Sequence, residues 1–92
     1  MGDEKDIGFV ARSKRRKEVL KILSRVSKMS QPEIMKISEQ YKSHNSRTIK
    51  ELSNKWLISC INPEDRSYKF YKITKKGKDI LKETEKISNK QN

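Results

Sequence analysis

At 92 residues the chain has room for one domain, because a single core of this size buries only about 60 to 65 per cent of the unfolded chain's surface. Hydrophobic residues make up 32% of the chain and charged residues 38%, so a core requires apolar residues at regular spacings, and the spacings described below argue against disorder. The formal net charge is +11, with −2 on residues 1–8 and +13 on the remainder, an excess that favours a polyanionic partner such as nucleic acid.

The first half of the sequence predicts two helices after an acidic N-terminal tail at 1–8. Ser13 is a candidate N-cap for a first helix over 13–27, whose apolar residues recur at helical spacing. The run Ser30-Gln31-Pro32-Glu33 then has the pattern of a capping box, in which serine and glutamate side chains satisfy backbone amides. We expect the second helix that starts there to bury Ile34, Met35 and Ile37.

A third helix and a hairpin follow the polar break at 41–44. Ile49, Leu52 and Trp56 recur at spacings of three and four residues, and the short break requires the second and third helices to cross closely. The period then changes towards two, which predicts strands over 58–61 and 68–73 joined by the turn Asn62-Pro63-Glu64-Asp65.

The chain ends in a last predicted helix, for which Thr74 is a candidate N-cap. This helix carries Ile80, Leu81, Thr84 and Ile87 along one side. Residues 89–92 are expected to form a frayed tail, so that the domain spans 9–88. The predicted order of elements is helix, helix, helix, strand, strand, helix, which is a mainly helical α+β fold.

Two parts of this sequence resemble motifs of the winged helix-turn-helix transcriptional regulators. The first runs from Ser46 to Leu52 and continues in Lys55-Trp56-Leu57-Ile58. The second, YKITKKGKDIL at 71–81, is similar to the family's Y-x-L-T-x-x-G-x-x-x-L transition from wing to last helix. The resemblance covers residues 9–84 and points to small archaeal-type members related to the MarR and ArsR groups. It implies a three-helix core, a two-stranded wing and a C-terminal helix.

Three places depart from the family's pattern. The family usually has glycine where Trp56 stands, an apolar residue where Asn45 stands, and small or apolar residues in the turn at 38–40. The register of the third helix is therefore open by a residue, and so is the choice of side chains that face bases. At the end of this helix, we expect Trp56 to be a core or dimer residue rather than a platform on which bases stack.

The resemblance implies that the third helix enters the major groove of double-stranded DNA. With Ile49 and Leu52 facing the core, the exposed side near the helix start carries Ser43, His44, Ser46, Arg47 and Lys50. Arg47 is the first candidate for reading a base, since a guanidinium can donate two hydrogen bonds to one guanine; a phosphate contact without sequence information is the alternative. For Ser43, capping the helix is the other expected role.

Basic residues outside the third helix give two further candidate DNA contacts. Arg66 and Lys69 in the wing are expected to lie on the backbone or in the minor groove, although Glu64 and Asp65 oppose this, and a wing that merely closes the sheet is the alternative. At the start of the first helix, candidates for contacts to the DNA backbone are Arg12, Lys14, Arg15 and Arg16. A solvated surface is the alternative there, because cations gain little at a helix N-terminus.

Assembly and chemistry are the remaining expectations from the sequence. Many members of the family are two-fold dimers, and the predicted dimer interface consists of Ile80, Thr84 and Ile87, with Ile7 and Phe9 as further candidates. Packing on the chain's own core is the alternative.

Cys60 is the single cysteine and His44 the single histidine, so neither a disulfide framework nor a metal site is predicted. The three glycines are isolated, which gives no phosphate-binding loop and no sign of an enzyme or a cofactor.

The sequence therefore predicts a basic, cytoplasmic and nucleoid-associated protein that binds specific double-stranded DNA sequences as a homodimeric transcriptional regulator. No apolar run approaches the roughly 20 residues that span a bilayer, so no membrane partner is expected. The alternatives are a nonspecific architectural DNA binder and an RNA-binding or protein-interaction module on the same fold.

Overall fold

Helices and a small antiparallel sheet make up the fold. The computed structural model of the protein describes residues 3–38 and 42–90, with the surroundings of side chains for 4–38 and 43–86. The elements in chain order are α1 (Asp3–Ala11), α2 (Lys14–Ser24), β1 (Met29–Ser30), α3 (Gln31–Ser38), α4 (Lys42–Asn54), β2 (Ile58–Cys60), β3 (Phe70–Ile73) and α5 (Lys75–Lys90). The predicted turn at 39–41 and the end of the predicted tail at 91–92 lie outside the described residues.

Both predicted N-caps in the first half of the chain are confirmed. Ser13 lies before α2, and its Oγ accepts a hydrogen bond from the Arg16 amide at 3.2 Å. At the start of α3, the Ser30 amide donates to Glu33 Oε1 at 3.2 Å and the Glu33 amide donates to Ser30 Oγ at 3.4 Å, while the Ser30 hydroxyl also donates to Glu33 Oε1 at 2.7 Å. This is the reciprocal geometry of a capping box, and it fixes where α3 begins.

The core forms around α2, which packs against α1, α3, α4, α5 and β3. The buried apolar side chains are Val10, Val19, Leu20, Leu23, Met29, Ile34, Ile49, Leu52, Leu57, Ile58, Tyr71, Ile73, Ile80 and Leu81. The prediction was wrong for Ile37, which is exposed, whereas Ser38 is buried and donates its hydroxyl to the Met35 carbonyl at 3.4 Å.

The predicted hairpin is confirmed, and it belongs to a three-stranded sheet with the order β1-β3-β2. In the hairpin Ile58 lies opposite Ile73, and Cys60 lies opposite Tyr71. On the other side of β3, Met29 lies opposite Tyr71. The two-residue strand β1 was not predicted, because it is too short to show an alternating pattern and forms only by pairing with a distant strand.

Residues 3–11 form the helix α1, where the sequence predicted an acidic tail over 1–8. Asp6 in α1 is almost fully buried, and its carboxylate forms ion pairs with Lys76 at 3.0 Å and Lys55 at 3.9 Å. Val10 is fully buried, and α1 packs along α5. Contacts far apart in the sequence thus hold α1 in place. The domain limits at 9 and 88 stay predictions.

The transition from β3 to α5 explains the motif on which the resemblance rests. Thr74 caps α5, as predicted, since its Oγ1 accepts a hydrogen bond from the Gly77 amide at 2.9 Å. The same hydroxyl donates to the Trp56 carbonyl at 2.7 Å. A side-chain Cβ at Gly77 would lie 2.1 Å from the Leu57 carbonyl oxygen. Only glycine allows α5 to approach the end of α4 so closely.

Two of the three residues predicted for the dimer interface are buried within the protein. Ile80 and Thr84 are buried in the protein's own core, and the Thr84 hydroxyl donates to the Ile80 carbonyl at 2.8 Å. Neither side chain is therefore available to a second copy. This is the alternative given above, in which these residues pack on the chain's own core. Ile7 and Phe9 are partly buried against the same core, and the side chain of Ile87 lies outside the described residues.

Candidate nucleic-acid interface

The two faces of α4 separate core residues from candidate DNA contacts. Its inner face buries Asn45, Thr48, Ile49 and Leu52. Its outer face exposes Ser43, Ser46, Arg47 and Lys50, as the helical spacing predicted. Because α4 begins at Lys42, Ser43 lies within its first turn rather than at the cap position. His44 is half-buried, and its carbonyl accepts a hydrogen bond from the Thr48 hydroxyl at 2.8 Å.

The exposed side chains of α4 are ready to donate hydrogen bonds. Within the described residues neither Arg47 nor Lys50 takes part in an ion pair. Ser46 Oγ accepts a hydrogen bond from Gln31 Nε2 at 3.1 Å, which leaves its own hydroxyl proton free to point outwards. Gln31 was not predicted as a site residue, since its contact with Ser46 depends on how α3 crosses α4.

A buried amide at the start of α4 has no hydrogen-bond partner among the residues that the structure describes. The Asn45 side chain is fully buried, and among the described residues neither its Oδ1 nor its Nδ2 is bonded. A buried polar group in this state lowers the stability of the folded protein. The sequence marked this position only as a departure from the family's apolar residue.

Side chains of the wing hairpin (58–73) close its tip. Asn62 bridges the two strands, as its Nδ2 donates to the Tyr68 carbonyl at 2.8 Å and its Oδ1 accepts the Phe70 amide at 2.7 Å. The Asp65 carboxylate accepts the hydroxyl of Ser67 at 2.7 Å and its amide at 2.8 Å. These hydrogen bonds from Ser67 lower the pKa of Asp65 below its usual value. The tip is thus shaped before any partner binds.

The two predicted wing contacts differ in their surroundings. Lys69 Nζ donates to the Pro63 carbonyl at 2.8 Å and approaches the Asp65 carbonyl at 3.5 Å, so it helps to close the tip. Its backbone carbonyl accepts the Gln31 amide at 3.1 Å, which joins the wing to the start of α3. Arg66 is exposed, and no described acidic residue pairs with it. Arg66 is therefore the freer cation of the two.

Arg16 has a structural role that the sequence did not reveal. Its guanidinium donates to both carboxylate oxygens of Glu51, at 3.0 and 3.3 Å, and to the Phe9 carbonyl at 2.7 Å. It also lies over the Phe9 ring, 3.7 Å from the centroid. Arg16 thus ties α1 and α2 to α4, and we remove it from the candidate DNA contacts. The other three, which are exposed, are Arg12, Lys14 and Arg15.

A groove runs between α4 and the wing hairpin. Its floor consists of Ile49, Ile58 and Tyr71. Burial raises the pKa of the Tyr71 hydroxyl above its usual value of 10.0. Lys50 and hydroxyl groups line its rim, and Trp56 stands at its end. A second cavity beside the wing tip, which Glu64 and Asp65 line, shares Gln31, Ser46 and Pro63 with it, so the two lie side by side.

Trp56 is not the core residue that was one of the two expectations for it, and the other expectation, a dimer contact, stays a prediction. It follows α4, with 71% of its surface exposed, so it is not a core residue. Its backbone has a φ of 60°, the left-handed conformation that explains why the family usually has glycine here. The expectation of a core residue failed because a helical spacing was extended two residues past the end of the helix.

Comparisons with known proteins agree with this geometry. A family model described as the winged helix DNA-binding domain matches residues 13–77, which is more than half of the chain. No curated protein matches the sequence. Among the described helices none has the length and apolar character to cross a membrane, and within residues 3–38 and 42–90 no three potential ligands come together to hold a metal ion.

Several solved structures share the fold. A mutant MarR from E. coli gives a TM-score of 0.77 at 18% identity, over 86% of this chain and 59% of that chain. A mutant MarR from E. coli complexed with operator DNA gives 0.72 at 16% identity, over 91% and 64%. The PcaV transcriptional regulator from Streptomyces coelicolor gives 0.72 at 15% identity, over 78% and 54%. The chain thus spans between about half and two thirds of the length of these regulators.

Proposed function

Because the chain belongs to the winged helix DNA-binding domain family, we propose that it binds double-stranded DNA and regulates transcription. The observation that carries this proposal is the outer face of α4, where the cations Arg47 and Lys50 are exposed beside a wing that is already closed. A mutant MarR from E. coli with the same fold was solved with operator DNA, which supports DNA as the ligand.

In the proposed complex α4 lies in the major groove, whose width admits a helix and whose base pairs show distinct donors and acceptors. Arg47 donates two hydrogen bonds to one guanine, and Lys50 contacts a phosphate. Ser43 and Ser46 donate their hydroxyl protons to phosphate oxygens, and Gln31 holds Ser46 in position. The half-buried His44 lies at the edge of this contact surface.

The proposed contacts outside α4 are electrostatic. Arg66 lies on the backbone or in the minor groove, where the potential is most negative when the groove is narrow. Lys69 shapes the wing tip and has one donor left for a phosphate. The exposed cations at the start of α2 are proposed to contact the DNA backbone beside α4, since Arg16 ties these two helices together.

The experiment that tests this function is a series of affinity measurements at different salt concentrations with duplex DNA, duplex RNA and single strands. A protein that contacts about 6 to 10 phosphates should bind duplex DNA about a thousandfold more weakly at 200 mM than at 50 mM salt. Absence of binding to duplex DNA in dilute buffer would overturn the proposal. Tighter binding to duplex RNA would favour an RNA-binding module instead.

Sequence specificity is the finer part of the proposal. Arg47→Ala should relax discrimination at one base pair by about 1 to 3 kcal/mol in sites selected from random duplexes. Arg66→Ala is the matched control, because loss of a backbone contact should weaken binding evenly on all sequences. If both variants lose the same affinity on random DNA, a nonspecific architectural binder describes the protein better.

We further propose that the protein acts as a two-fold homodimer on the chromosome, in the cytoplasm, without a cofactor or catalytic step. Two copies would read half-sites about one helical turn apart. Since Ile80 and Thr84 are buried, the contact between copies uses other surfaces. Sedimentation with and without a palindromic duplex measures the assembly, and a 1:1 complex on such a duplex would contradict the dimer.

A further inference from the structure

The backbone at Trp56 is strained for a residue with a side chain. Its φ of 60° lies in the left-handed region, which costs L residues energy through contacts of their Cβ. The Trp56 amide donates to the Ser53 carbonyl and the Leu57 amide to the Leu52 carbonyl, both at 3.0 Å, so this conformation closes the end of α4. Glycine would make the same closure without strain.

Nothing in the described fold compensates for this strain through burial. Trp56 is the only tryptophan in the sequence and, among the side chains that the structure describes, the most exposed large hydrophobic one, at 71%. Its side chain lies outside the hydrophobic core, which is complete without it. A ring that is both strained and exposed is a candidate contact for a molecule that binds next to it.

The groove beside Trp56 indicates which molecule this is. The side of α4 that lines it carries Ser46, Lys50 and Ser53 in successive turns, and Ser59 lies on the opposite wall. No acidic residue lines this groove, and its floor is apolar. Its volume of about 640 Å³ is large enough for nucleotide-sized groups. Such a combination fits a chain that alternates apolar and anionic groups.

We propose that one strand of the DNA backbone lies in this groove, and that the indole of Trp56 packs against a deoxyribose at the end of the strand's path. This inference rests on the proposed function. Phosphates contact Lys50 and the hydroxyl groups of the rim. Tryptophan supplies a large rigid surface with a single N–H donor, which suits the apolar face of a sugar that lies next to a phosphate.

The intrinsic fluorescence of the single tryptophan tests the contact directly. Anisotropy of a labelled duplex gives the affinity, and quenching of Trp56 emission by acrylamide in the same samples gives its accessibility. We expect saturating duplex to reduce this quenching by roughly half, because the sugar covers one face of a ring that is otherwise exposed. Saturating binding with unchanged quenching overturns the inference and leaves the proposed function intact. No binding at all overturns the proposed function itself.

Variants at this position separate a DNA contact from a structural role. Trp56→Gly should unfold at a higher temperature than the wild type, because the strain is gone, yet bind duplex DNA about fivefold or more weakly. Trp56→Phe should recover most of that affinity. Ile37→Ala, at another exposed hydrophobic residue, is the control and should leave the affinity unchanged. Equal affinities of the glycine variant and the wild type overturn the inference. A glycine variant whose weaker binding is accounted for by a loss of dimerisation also overturns the inference.

Discussion

The buried amide of Asn45 makes the sharpest test of how the structure relates to stability. Both of its polar atoms lack a partner among the described residues, and its side chain is fully buried on the inner face of α4. Leucine has the same number of side-chain heavy atoms and the same branching as asparagine. Asn45→Leu therefore replaces the amide by methyl groups with little change in shape.

The expected gain in stability follows from three contributions. Leaving a buried amide without partners costs about 1 to 3 kcal/mol, and the substitution removes this cost. Leucine also has a higher helix propensity than asparagine, by about 0.5 kcal/mol. Methyl groups are larger than the amide atoms, and the resulting crowding offsets about 1 kcal/mol of the gain. Asn45→Leu should thus raise the free energy of unfolding by about 1.5 kcal/mol, which corresponds to roughly 6 to 12 °C in Tm.

Chemical and thermal unfolding followed by circular dichroism measure this change. Asn54→Leu is the matched control, because it makes the same substitution at an exposed position of the same helix and should change stability by less than about 0.5 kcal/mol. An Asn45→Leu protein that is no more stable than the wild type would refute the reasoning. The amide would then have a hydrogen-bond partner in solution.

Three further predictions concern local features of the fold. Gly77→Ala should cost about 3 kcal/mol of stability, because the new Cβ would lie 2.1 Å from the Leu57 carbonyl oxygen; a loss below 1 kcal/mol in urea unfolding would contradict the close approach. Arg16→Ala should cost about 2 kcal/mol, and a double-mutant cycle with Glu51→Gln should show a favourable coupling; additive losses would mean that the pair does not interact. The pKa of Glu33 is lowered from 4.5 because Ser30 donates a side-chain and a backbone hydrogen bond to its carboxylate. The stability that these hydrogen bonds contribute is therefore complete above about pH 4.5 and is lost as the pH falls through the lowered pKa. Glu33→Gln should therefore lose less stability than the wild type between pH 5 and pH 2, and equal losses in acid titrations followed by circular dichroism would contradict this.

Features that depend on neighbouring residues could be predicted from the sequence. The capping box of Ser30 and Glu33 and the cap at Thr74 are confirmed, because each bond joins residues three positions apart. The inner and outer faces of α4 followed from its apolar spacing for the same reason. The hairpin was predicted from two short alternating segments and the turn between them, and its register in the structure pairs Ile58 with Ile73.

Features that depend on tertiary contacts could not be predicted. Residues 3–11 contain too few apolar side chains to show a helical period, and α1 is held by distant partners such as Lys76. Arg16 looked like one of several surface cations, because its bonds to Glu51 join residues 35 positions apart. Whether Ile80 faces the core or a second copy depends on where α1 and α2 pack. The periodicity of α5 is the same in both cases.

Two of the three departures from the family's pattern, Asn45 and Trp56, lie near opposite ends of α4, and we expect them to contribute differently to stability and to DNA binding. Asn45 places in the core an amide that no described residue bonds, whereas Trp56 holds a strained backbone at the groove. Restoring the family's usual residue type at either place should stabilise the protein. Only the change at Trp56 should weaken binding to DNA, because Asn45 does not reach the outer face. Two variants with similar gains in stability and different affinities for DNA would therefore distinguish strain that serves binding from strain that does not.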